Sequence, residues 1–385
     1  MKKSRVIIVP CDSYDQGKTD AAVRAGMESL ERDGKLLSAD EKILLKPNLL
    51  TAAVQEKAVT THPAVFRALV KYLRETGRSR LSYGDSPSNG TMRHASDVSG
   101  IAQTAAQLGI PEAEFEHAVK TAYPAGHTAK EFMLAQGILD ADAVVNVGKL
   151  KTHALERITG AVKISYGYVQ GRNKAMGHAH FPNADRFADM LVDLNQCVKP
   201  RFSVMDGIVS MEGNGPASGN PVKLGLLFFS EDPVALDAVF CRLIHLNPVL
   251  VPTNRAGRQW GLGTWQEDRI EIEIPGEGVV STEELVRRFG KPDFHVDRKQ
   301  RRQNLMGLML SMFTTPARPV IDPARCVHCG LCVRSCPVEA VTFARGKDQA
   351  PVYDYKKCIR CYCCQEVCPQ KAIRVKGGEI TARKP

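Results

Sequence analysis

The sequence lacks any long apolar run, and its mean hydropathy is −0.21, so it does not encode an integral membrane protein. Near its start the apolar stretch at residues 6–9 is followed directly by a proline and is too short for the core of a signal peptide. We therefore expect a cytoplasmic protein. Aromatic residues make up only 6% of the chain, which disfavours a surface that stacks nucleic-acid bases.

Two common nucleotide-binding motifs are also missing. No G-x-G-x-x-G follows a predicted strand, because Gly213-Asn-Gly215 leads into Pro216 and not into a helix. A Walker A loop is absent as well. The sequence therefore gives no support for a Rossmann dinucleotide site or a P-loop.

Cysteine is scarce in the first 325 residues, which contain only Cys11, Cys197 and Cys241, whereas nine cysteines lie in residues 326–368. In a reducing compartment such a cluster indicates metal ligation and not a disulfide framework. Positive charge follows the same division, since the chain from residue 286 onward carries +12 and the remainder −2. This charge compensates an anionic metal cluster, and nucleic-acid binding through residues 298–302 is the weaker interpretation, so no nucleic-acid partner is expected.

The cysteines form two copies of the C-x2-C-x2-C-x3-C-P pattern, at residues 326–337 and 358–369. In this bacterial ferredoxin pattern three cysteines hold one 4Fe-4S cluster and the fourth ligates the other. Zinc is the alternative for C-x2-C pairs, but zinc sites do not require C-x3-C-P in both copies. We therefore predict two 4Fe-4S clusters. The expected ligands are Cys326, Cys329, Cys332 and Cys368 for the first cluster, and Cys336, Cys358, Cys361 and Cys364 for the second.

An extra cysteine and several basic residues lie near these ligands in the sequence. Cys363 is either a spare ligand or a bystander, and the bystander is the simpler interpretation. Basic side chains flank the cysteines and are expected to offset the charge of the clusters, although some are ordinary surface residues. They are Arg325, Arg334, Lys356, Lys357 and Arg360.

The first 290 residues alternate short β-rich runs with amphipathic helical stretches, which is typical of a layered α/β domain with a mostly parallel sheet. We predict this domain at 1–290 and a small α+β dicluster ferredoxin-like domain at 320–385. Between them, a linker at 291–319 joins a basic cluster to an apolar stretch too short to span a membrane. Residues 298–313 either make a peripheral membrane contact or pack against one of the domains.

Local signals predict several element boundaries in the α/β domain. Thr19, Thr61 and Ser230 are expected as helix N-caps, and Ser281 as the start of a capping box. The alternating pattern at Ile270–Ile274 predicts an edge strand.

Polar residues follow four predicted strands, and ligands in open α/β sheets bind at the carboxyl ends of such strands. Each residue alone is typical of a turn, but together they predict an anion site. We expect catalytic roles for Lys149, Lys151, His153 and Asp85, with His153 as the proton donor. The other expected pocket residues are Lys46, Asn48, Lys163, Asp206 and Glu212. His178 and His180 are either metal ligands or members of a polar loop.

A series of motifs resembles the prokaryotic family catalogued as domain of unknown function 362, over about residues 6–247. They are Lys46-Pro47-Asn48-Leu49, Thr61-His62-Pro63, Gly84-Asp85-Ser86-Pro87, Lys149-Leu-Lys-Thr-His153, Gly160-Ala-Val-Lys163, Asp206-Gly207, Glu212-Gly213-x-Gly215-Pro216 and Ser230-Glu-Asp232-Pro233-x-Ala-Leu-Asp237. Members often carry a C-terminal ferredoxin module. The resemblance implies an iron–sulfur protein, and the family has no settled general reaction.

These observations predict a metal-binding redox protein whose clusters relay electrons to or from an anionic ligand held by the α/β domain. If it is an enzyme, this prediction makes it an oxidoreductase. The alternative is an electron carrier or assembly partner whose α/β domain docks a protein and performs no chemistry. The expected partner is accordingly a redox protein or a small anionic substrate.

Overall fold

The computed structural model describes residues 3–299, 317–344 and 346–377. Its β-strands are β1 Ser4–Pro10, β2 Ile43–Pro47, β3 Leu81–Tyr83, β4 Ala118–Ala122, β5 Glu131–Ala135, β6 Ala143–His153, β7 Arg157–Thr159, β8 Phe202–Glu212, β9 Asn220–Ser230, β10 Ile270–Ile274, β11 Gly278–Val280, β12 Arg318–Ile321, β13 Val341–Thr342, β14 Val352–Tyr353 and β15 Ile373–Lys376.

The α-helices within the same residues are α1 Gln16–Leu30, α2 Pro63–Glu75, α3 Met92–Ser99, α4 Ile101–Gln107, α5 Gln136–Leu139, α6 Ala161–Ile164, α7 Gly171–His180, α8 Ala184–Val198, α9 Pro233–Leu243, α10 Pro252–Gln259, α11 Thr282–Phe289, α12 Leu331–Arg334 and α13 Cys363–Glu366. Short 3₁₀ helices occur at Gln55–Lys57, Ser165–Tyr168, Pro248–Leu250, Glu267–Arg269 and Pro323–Arg325.

One large mixed sheet organises the N-terminal part of the chain. In the described residues it has nine strands in the order β11-β10-β1-β9-β8-β6-β2-β3, with β7 paired to β6. Strands β3, β2, β6 and β8 are parallel neighbours, and β9 runs antiparallel to both β8 and β1. Most strands therefore point the same way, and the predicted α/β class with a mostly parallel sheet is confirmed.

Helices cover both faces of this sheet because its central strands are apolar on both sides. Alternate residues of β1 show the division: Ile7 belongs to the larger hydrophobic core, whereas Ile8 belongs to the core on the opposite face. Phe66 of α2 packs into the larger core, and Phe240 of α9 packs into the opposite one. The sheet is thus fixed between two layers, which orients the carboxyl ends of its parallel strands.

Three predicted helix caps are wrong, each because a neighbouring residue takes the role. Asp15 caps α1 by accepting from the backbone N–H of Lys18. Asp232 caps α9, while the hydroxyl of Ser230 donates to the carbonyl of Arg5. The predicted capping box at Ser281 is confirmed, since its side chain accepts from the N–H of Glu284.

The third wrong cap concerns Thr61, at the start of α2. His62 caps this helix through Nδ1, which accepts from the N–H of Ala64. The Thr61 hydroxyl instead accepts from the N–H of Asn48 and donates to the carbonyl of Val147. It therefore ties together the carboxyl ends of β2 and β6.

The prediction of an edge strand at Ile270–Ile274 is also wrong. This strand, β10, pairs in parallel with β1 and antiparallel with β11, so both of its edges are occupied. The alternating glutamates do not require an exposed edge, because Glu273 is buried and forms an ion pair with Arg5. A charged side chain with a fixed partner is compatible with an interior strand.

The C-terminal part contains two small antiparallel pairs, β12 with β15 and β13 with β14, which fits the predicted small α+β domain. Most of the predicted membrane-contact segment, residues 300–313, lies outside the described residues. Arg298 is described, and its guanidinium donates to the backbone carbonyls of Ile244 and Phe294. In the part of the chain that the structure describes, no helix combines the length and apolarity needed to cross a membrane.

The packing of α1 on the sheet generates a stability prediction. A Cβ atom added at Gly26 would lie 2.2 Å from the ring of Phe229 in β9, which is fully buried. We expect Gly26→Ala to lower the free energy of unfolding by about 1–3 kcal/mol, since an overpacked core must shift. Urea denaturation under anaerobic conditions, followed by circular dichroism, measures this.

The matched control is Gly17→Ala in the same helix. Gly17 is exposed, and its added Cβ would make only an ordinary contact at 3.4 Å with Asp15. This control is expected to be neutral or slightly stabilising, because alanine favours helix over glycine. Equal loss of stability in both variants would contradict the packing of α1 on Phe229.

Candidate functional site

The two cysteine runs, residues 326–336 and 358–368, adopt the same local geometry. His328 and Arg360 occupy equivalent positions with φ of 56° and 58°. Helices α12 and α13 each begin after a left-handed residue, Gly330 in one run and Tyr362 in the other. The fourth cysteine of each run also accepts a backbone N–H four residues later, at 3.2 Å for Cys336 and 3.3 Å for Cys368. The module is therefore a structural repeat.

Four thiols line one cavity of about 360 Å³ in this module. They are the predicted first ligand set, Cys326, Cys329, Cys332 and Cys368. Burial, followed by the nearness of the other three thiols, raises the pKa of Cys332 to about 11. The remaining walls are mainly apolar and include Ile321 and Leu331. Soft sulfur donors around a dry space suit an iron–sulfur cluster.

The thiols of the second predicted ligand set, Cys336, Cys358, Cys361 and Cys364, lie close to one another. Burial raises the pKa of Cys358, and the thiols of Cys361 and Cys336 add to the effect. The hydroxyl of Tyr353 lies 3.2 Å from Sγ of Cys364 and donates to it. The extra thiol, Cys363, donates to Cys361 and lowers the pKa of Cys361. Cys363 therefore contacts a predicted ligand without belonging to the repeated spacing.

A second cavity, of about 350 Å³, lies at the carboxyl ends of β2 and β6. Four of the predicted site residues line it: Asn48, Asp85, Lys151 and Lys163. Lys174 and Thr159, which sequence reasoning missed, line it too. We call this cavity the lysine pocket, because three lysine side chains contribute to its wall.

Three amines line the lysine pocket, and no carboxylate forms an ion pair with any of them among the described residues. Lys151 is fully buried and donates to the carbonyl of Val59 at 2.5 Å, and burial together with the charge of Lys163 lowers its pKa well below the usual value. Burial lowers the pKa of Lys174 to about 7. Lys163 has no hydrogen-bond or ion-pair partner within 4.0 Å among the described residues. Such amines favour an anionic ligand.

Asp85 is the one carboxylate among the described residues that line the pocket, and it is already engaged. Its Oδ1 lies 2.9 Å from Nζ of Lys46, and its Oδ2 accepts the N–H of Leu49 at 2.6 Å. Gly167 packs directly on this pair, since an added Cβ would lie 2.0 Å from Oδ1. Lys46 therefore stabilises the pocket wall through its ion pair with Asp85. Lys46 was expected among the pocket residues, but it does not itself line the cavity.

Lys149, expected as a catalytic residue, and Asp206, expected as a pocket residue, form an ion pair with each other. Nζ of Lys149 lies 2.7 Å from Oδ2 of Asp206 and donates to the hydroxyl of Tyr14 and the carbonyl of Val209. Strand β6 extends to His153, and a β-bulge between Lys149 and Lys151 separates the surroundings of the two lysines. Neither member of the ion pair lines the lysine pocket.

Glu212 is likewise placed outside the pocket. Its Oε2 accepts the backbone N–H of His295 at 2.8 Å, which fixes the segment after α11 to the end of β8. Glu212 therefore makes a polar contact at the end of its strand, but it does not line the lysine pocket.

Lys163 is positioned by a buried carboxylate. Asp237 of α9 accepts the backbone N–H groups of Ala161 at 2.6 Å and Val162 at 3.2 Å, at the first turn of α6. Burial raises the pKa of Asp237 to about 7. An added Cβ at Gly160 would lie 2.0 Å from this carboxylate, so the glycine permits the close approach. Asp237 thereby fixes the short helix that carries Lys163.

His153 links the pocket region to the second cysteine run and does not line the cavity. Its Nδ1 accepts the N–H groups of Leu155 and Glu156, so the ring proton is on Nε2. Nε2 lies 3.2 Å from Oε1 of Glu366, which is in α13. Burial alone raises the pKa of Glu366, but His153 and Lys163 outweigh it and hold the pKa at about 2. Burial lowers the pKa of His153 and the charge of Lys163 adds to the effect, whereas Glu366 opposes it.

Further hydrogen bonds fix the second run on the β8–β9 hairpin. Gln365 donates to the carbonyls of Asn214 at 2.8 Å and Gly215 at 3.2 Å. In return, Asn214 donates to the carbonyl of Ile373, and Lys371 donates to that of Gly219. The adjacent Pro216 lines the lysine pocket, so the second run and the pocket share a wall.

The residues that sequence reasoning missed had weak local signals. Lys174 lies in α7 and donates to the carbonyl of Ser86, and Tyr166 fixes it by donating to the Lys174 carbonyl. The nearby His178 stacks on Phe187 with ring centroids 4.2 Å apart, which gives it a packing role. One signal for Glu366 was available, because it is an acidic residue where the first run has a basic one.

Comparison with known proteins identifies both parts of the chain. A profile of the family described as a domain of unknown function (DUF362) matches residues 43–242, and a profile of the 4Fe-4S dicluster domain matches residues 318–372. The thylakoid-associated protein sll1697 of Synechocystis sp. is 34% identical over 298 residues, covering 76% of this chain and 91% of that protein. The resemblance to a family that carries iron–sulfur modules is confirmed.

Two solved structures are similar to this chain at a low level. The lactate racemase apoprotein of Thermoanaerobacterium thermosaccharolyticum has a TM-score of 0.38 at 12% identity, covering 59% of this chain and 54% of its own. A Thermotoga maritima structural-genomics protein has a TM-score of 0.35 at 12% identity, covering 58% of this chain and 57% of its own. This chain therefore spans little more than half the length of each.

The depressed pKa of Lys174 predicts the pH dependence of anion binding. Lys174 is charged below about pH 7, so sulfate, whose own charge is constant between pH 6 and 8, should bind more tightly at pH 6. The gain is at most about tenfold per pH unit above the pKa. Isothermal titration calorimetry measures it, and Lys174→Met should flatten the dependence. An unchanged dependence in that variant would assign it to another group.

Proposed function

Because this chain belongs to the family described as a domain of unknown function (DUF362) and carries a 4Fe-4S dicluster domain, we propose that it exchanges electrons between two 4Fe-4S clusters and an anionic ligand in the lysine pocket. Iron–sulfur electron transfer is the general role of the C-terminal module. The pocket, the relay and the number of clusters are the new parts of this proposal.

The proposed cluster ligands keep the pairing of the repeated motif. One set is Cys326, Cys329, Cys332 and Cys368, and the other is Cys336, Cys358, Cys361 and Cys364. When bound, such clusters supply or accept single electrons. Cys363 lies outside the repeated spacing and is proposed to tune Cys361 by its hydrogen bond.

The observation that carries the proposal is the contact between the second run and the pocket wall. Glu366, two residues after Cys364, lies 3.2 Å from His153, which follows the pocket residue Lys151 by two residues. The hairpin that receives Gln365 also supplies Pro216 to the pocket. The second ligand set and an anion in the pocket would therefore be neighbours in a poorly solvated region, where electrostatic coupling is strong.

Each residue in the pocket has a proposed role. Lys151, Lys163 and Lys174 bind the negative charge, and the hydroxyl of Thr159 donates a hydrogen bond to it, since Oγ1 of Thr159 is buried without a partner in the described residues. Asn48 lines the same cavity. The Lys46–Asp85 pair holds the wall in place. Nε2 of His153 lies 3.2 Å from Oε1 of Glu366, and His153 is thus proposed as a positioning residue at the contact with the second run.

The proposed location is the cytoplasm. One relative is named as thylakoid-associated, and we propose that association of this chain with a membrane surface would be compatible with a cytoplasmic location. A redox protein or a small anion remains the proposed partner.

The number of clusters has a direct measurement. Anaerobic native mass spectrometry should give the mass of the polypeptide plus two four-iron four-sulfur clusters. We expect Cys363→Ser to retain both clusters and Cys364→Ser to lose iron, because only Cys364 belongs to the repeated spacing. One cluster, or zinc in place of iron, in the native protein would contradict the proposed ligand sets.

The relay is tested by Lys163→Met, with sulfate as the anion. Loss of the Lys163 amine from the pocket wall should weaken sulfate binding by about tenfold or more, whereas Lys57→Met, which removes an exposed lysine, should leave it unchanged. Bound sulfate should lower the midpoint potential of one of the two iron–sulfur couples in an EPR-monitored titration, since nearby negative charge disfavours reduction.

Two outcomes would contradict this proposal. Wild-type sulfate affinity in Lys163→Met would contradict the proposal that the anion binds in the lysine pocket. Tight binding without a change in either potential would favour an α/β domain that is not coupled to the clusters.

A further inference from the structure

The repeat in the iron–sulfur module gives its two ends equivalent surfaces. We define the second-run face by Lys357, Ile359, Cys361 and Glu366, and the first-run face by Arg325, Val327, Cys329 and Arg334, which precede them by 32 residues each. The matching left-handed residues and the matching sulfur-accepted N–H groups show that the backbone has the same course at both ends.

The two faces differ in what covers them. On the second-run face, Cys361 is 8% exposed and Glu366 is 6% exposed, whereas Ile359 is half-buried and Lys357 is exposed, so this face is covered around Cys361 and Glu366. On the first-run face, Val327 is 58% exposed, and Cys329 and Arg334 are exposed too. All four residues that define the first-run face are therefore open to a partner, including one apolar side chain and one predicted cluster ligand.

The charge at the equivalent helical position is reversed. Glu366 ends α13 and faces the basic surroundings of His153 and Lys163. Its counterpart Arg334 ends α12, donates to the carbonyl of Cys329 at 3.2 Å, and is exposed. Arg325 adds a second positive charge, with half of its side chain exposed beside Asp322. The acidic end thus meets a basic site within the chain, and the basic end is complementary to an acidic one.

We propose that the first-run face is the docking site for an acidic electron-transfer protein. This rests on the proposed function, because it assumes a cluster at each end of the module. One electron passes from the reduced partner to the cluster held by the first ligand set, so the partner is oxidised and the module reduced by one electron, and no bond or proton is transferred. The two faces then contact different partners: the protein partner binds at the first run, and the anionic ligand binds beside the second.

Binding is the primary test, with an acidic plant-type [2Fe–2S] ferredoxin as the probe. At low ionic strength, Arg334→Glu should raise the Kd of the oxidised proteins by about tenfold or more, and Arg334→Gln should have an intermediate effect. Lys57→Glu, which changes the net charge equally at an exposed site of the α/β domain, should leave the Kd unchanged. The salt dependence of binding should weaken in Arg334→Glu.

Stopped-flow reduction of the module by the same reduced ferredoxin gives a second readout. The second-order rate constant should fall in parallel with affinity, while reduction by dithionite stays as in the wild type. If Arg334→Glu fails to assemble its clusters, Arg325→Glu gives the same test without removing the hydrogen bond to Cys329. A wild-type Kd in a charge-reversed variant that retains its clusters would overturn the proposal, and so would an equal loss in Lys57→Glu.

A lipid surface is the competing source of negative charge. Sedimentation with vesicles of anionic and neutral phospholipid separates the two, since vesicle binding that is lost in Arg334→Glu while ferredoxin binding is unchanged would overturn the proposal in favour of a membrane. Failure of the pocket proposal is distinguishable, because sulfate affinity reports on Lys163 and should not respond to Arg334→Glu. Ferredoxin affinity should likewise not respond to Lys163→Met.

Discussion

The contact between Glu366 and the basic wall of the α/β domain is the interaction on which the arrangement depends. A carboxylate this deeply buried is unfavourable unless it is paired, and His153 and Lys163 provide the compensation. The pairing fixes which end of the iron–sulfur module lies against the pocket. The hydrogen bonds of Gln365 and Asn214 then fix its orientation. Without this contact the module would be an independent electron carrier attached to an α/β domain.

The lysines of the α/β domain divide according to their partners. Lys46 and Lys149 are buried with carboxylates, Asp85 and Asp206, and therefore stabilise the fold around the strand ends. Lys151 and Lys163 line the cavity with no carboxylate within 4.0 Å in the described residues. The same residue type thus serves two purposes, and the presence of a nearby acid decides between them. An ammonium without a fixed counter-ion is available for a ligand.

Internal repetition gives the module a functional asymmetry. The two runs have the same backbone geometry, but α13 carries Glu366 where α12 carries Arg334. The end of the module with the negatively charged Glu366 packs against the α/β domain, and the end with the positively charged Arg334 stays at the surface. Equivalent backbones with opposite charges are a simple way for a duplicated unit to contact two different partners, because electrostatic complementarity selects the partner.

The sequence by itself determined the α/β class, the family and the iron–sulfur module, because strand periodicity and the repeated cysteine spacing are local patterns. It also named four of the thirteen described residues that line the pocket, which are Asn48, Asp85, Lys151 and Lys163. Only the tertiary structure decided that Lys149 is paired with Asp206, that Lys174 lines the cavity and that Glu366 meets His153. Those facts depend on contacts between residues far apart in the chain, and neither spacing nor composition specifies which buried charge receives which partner.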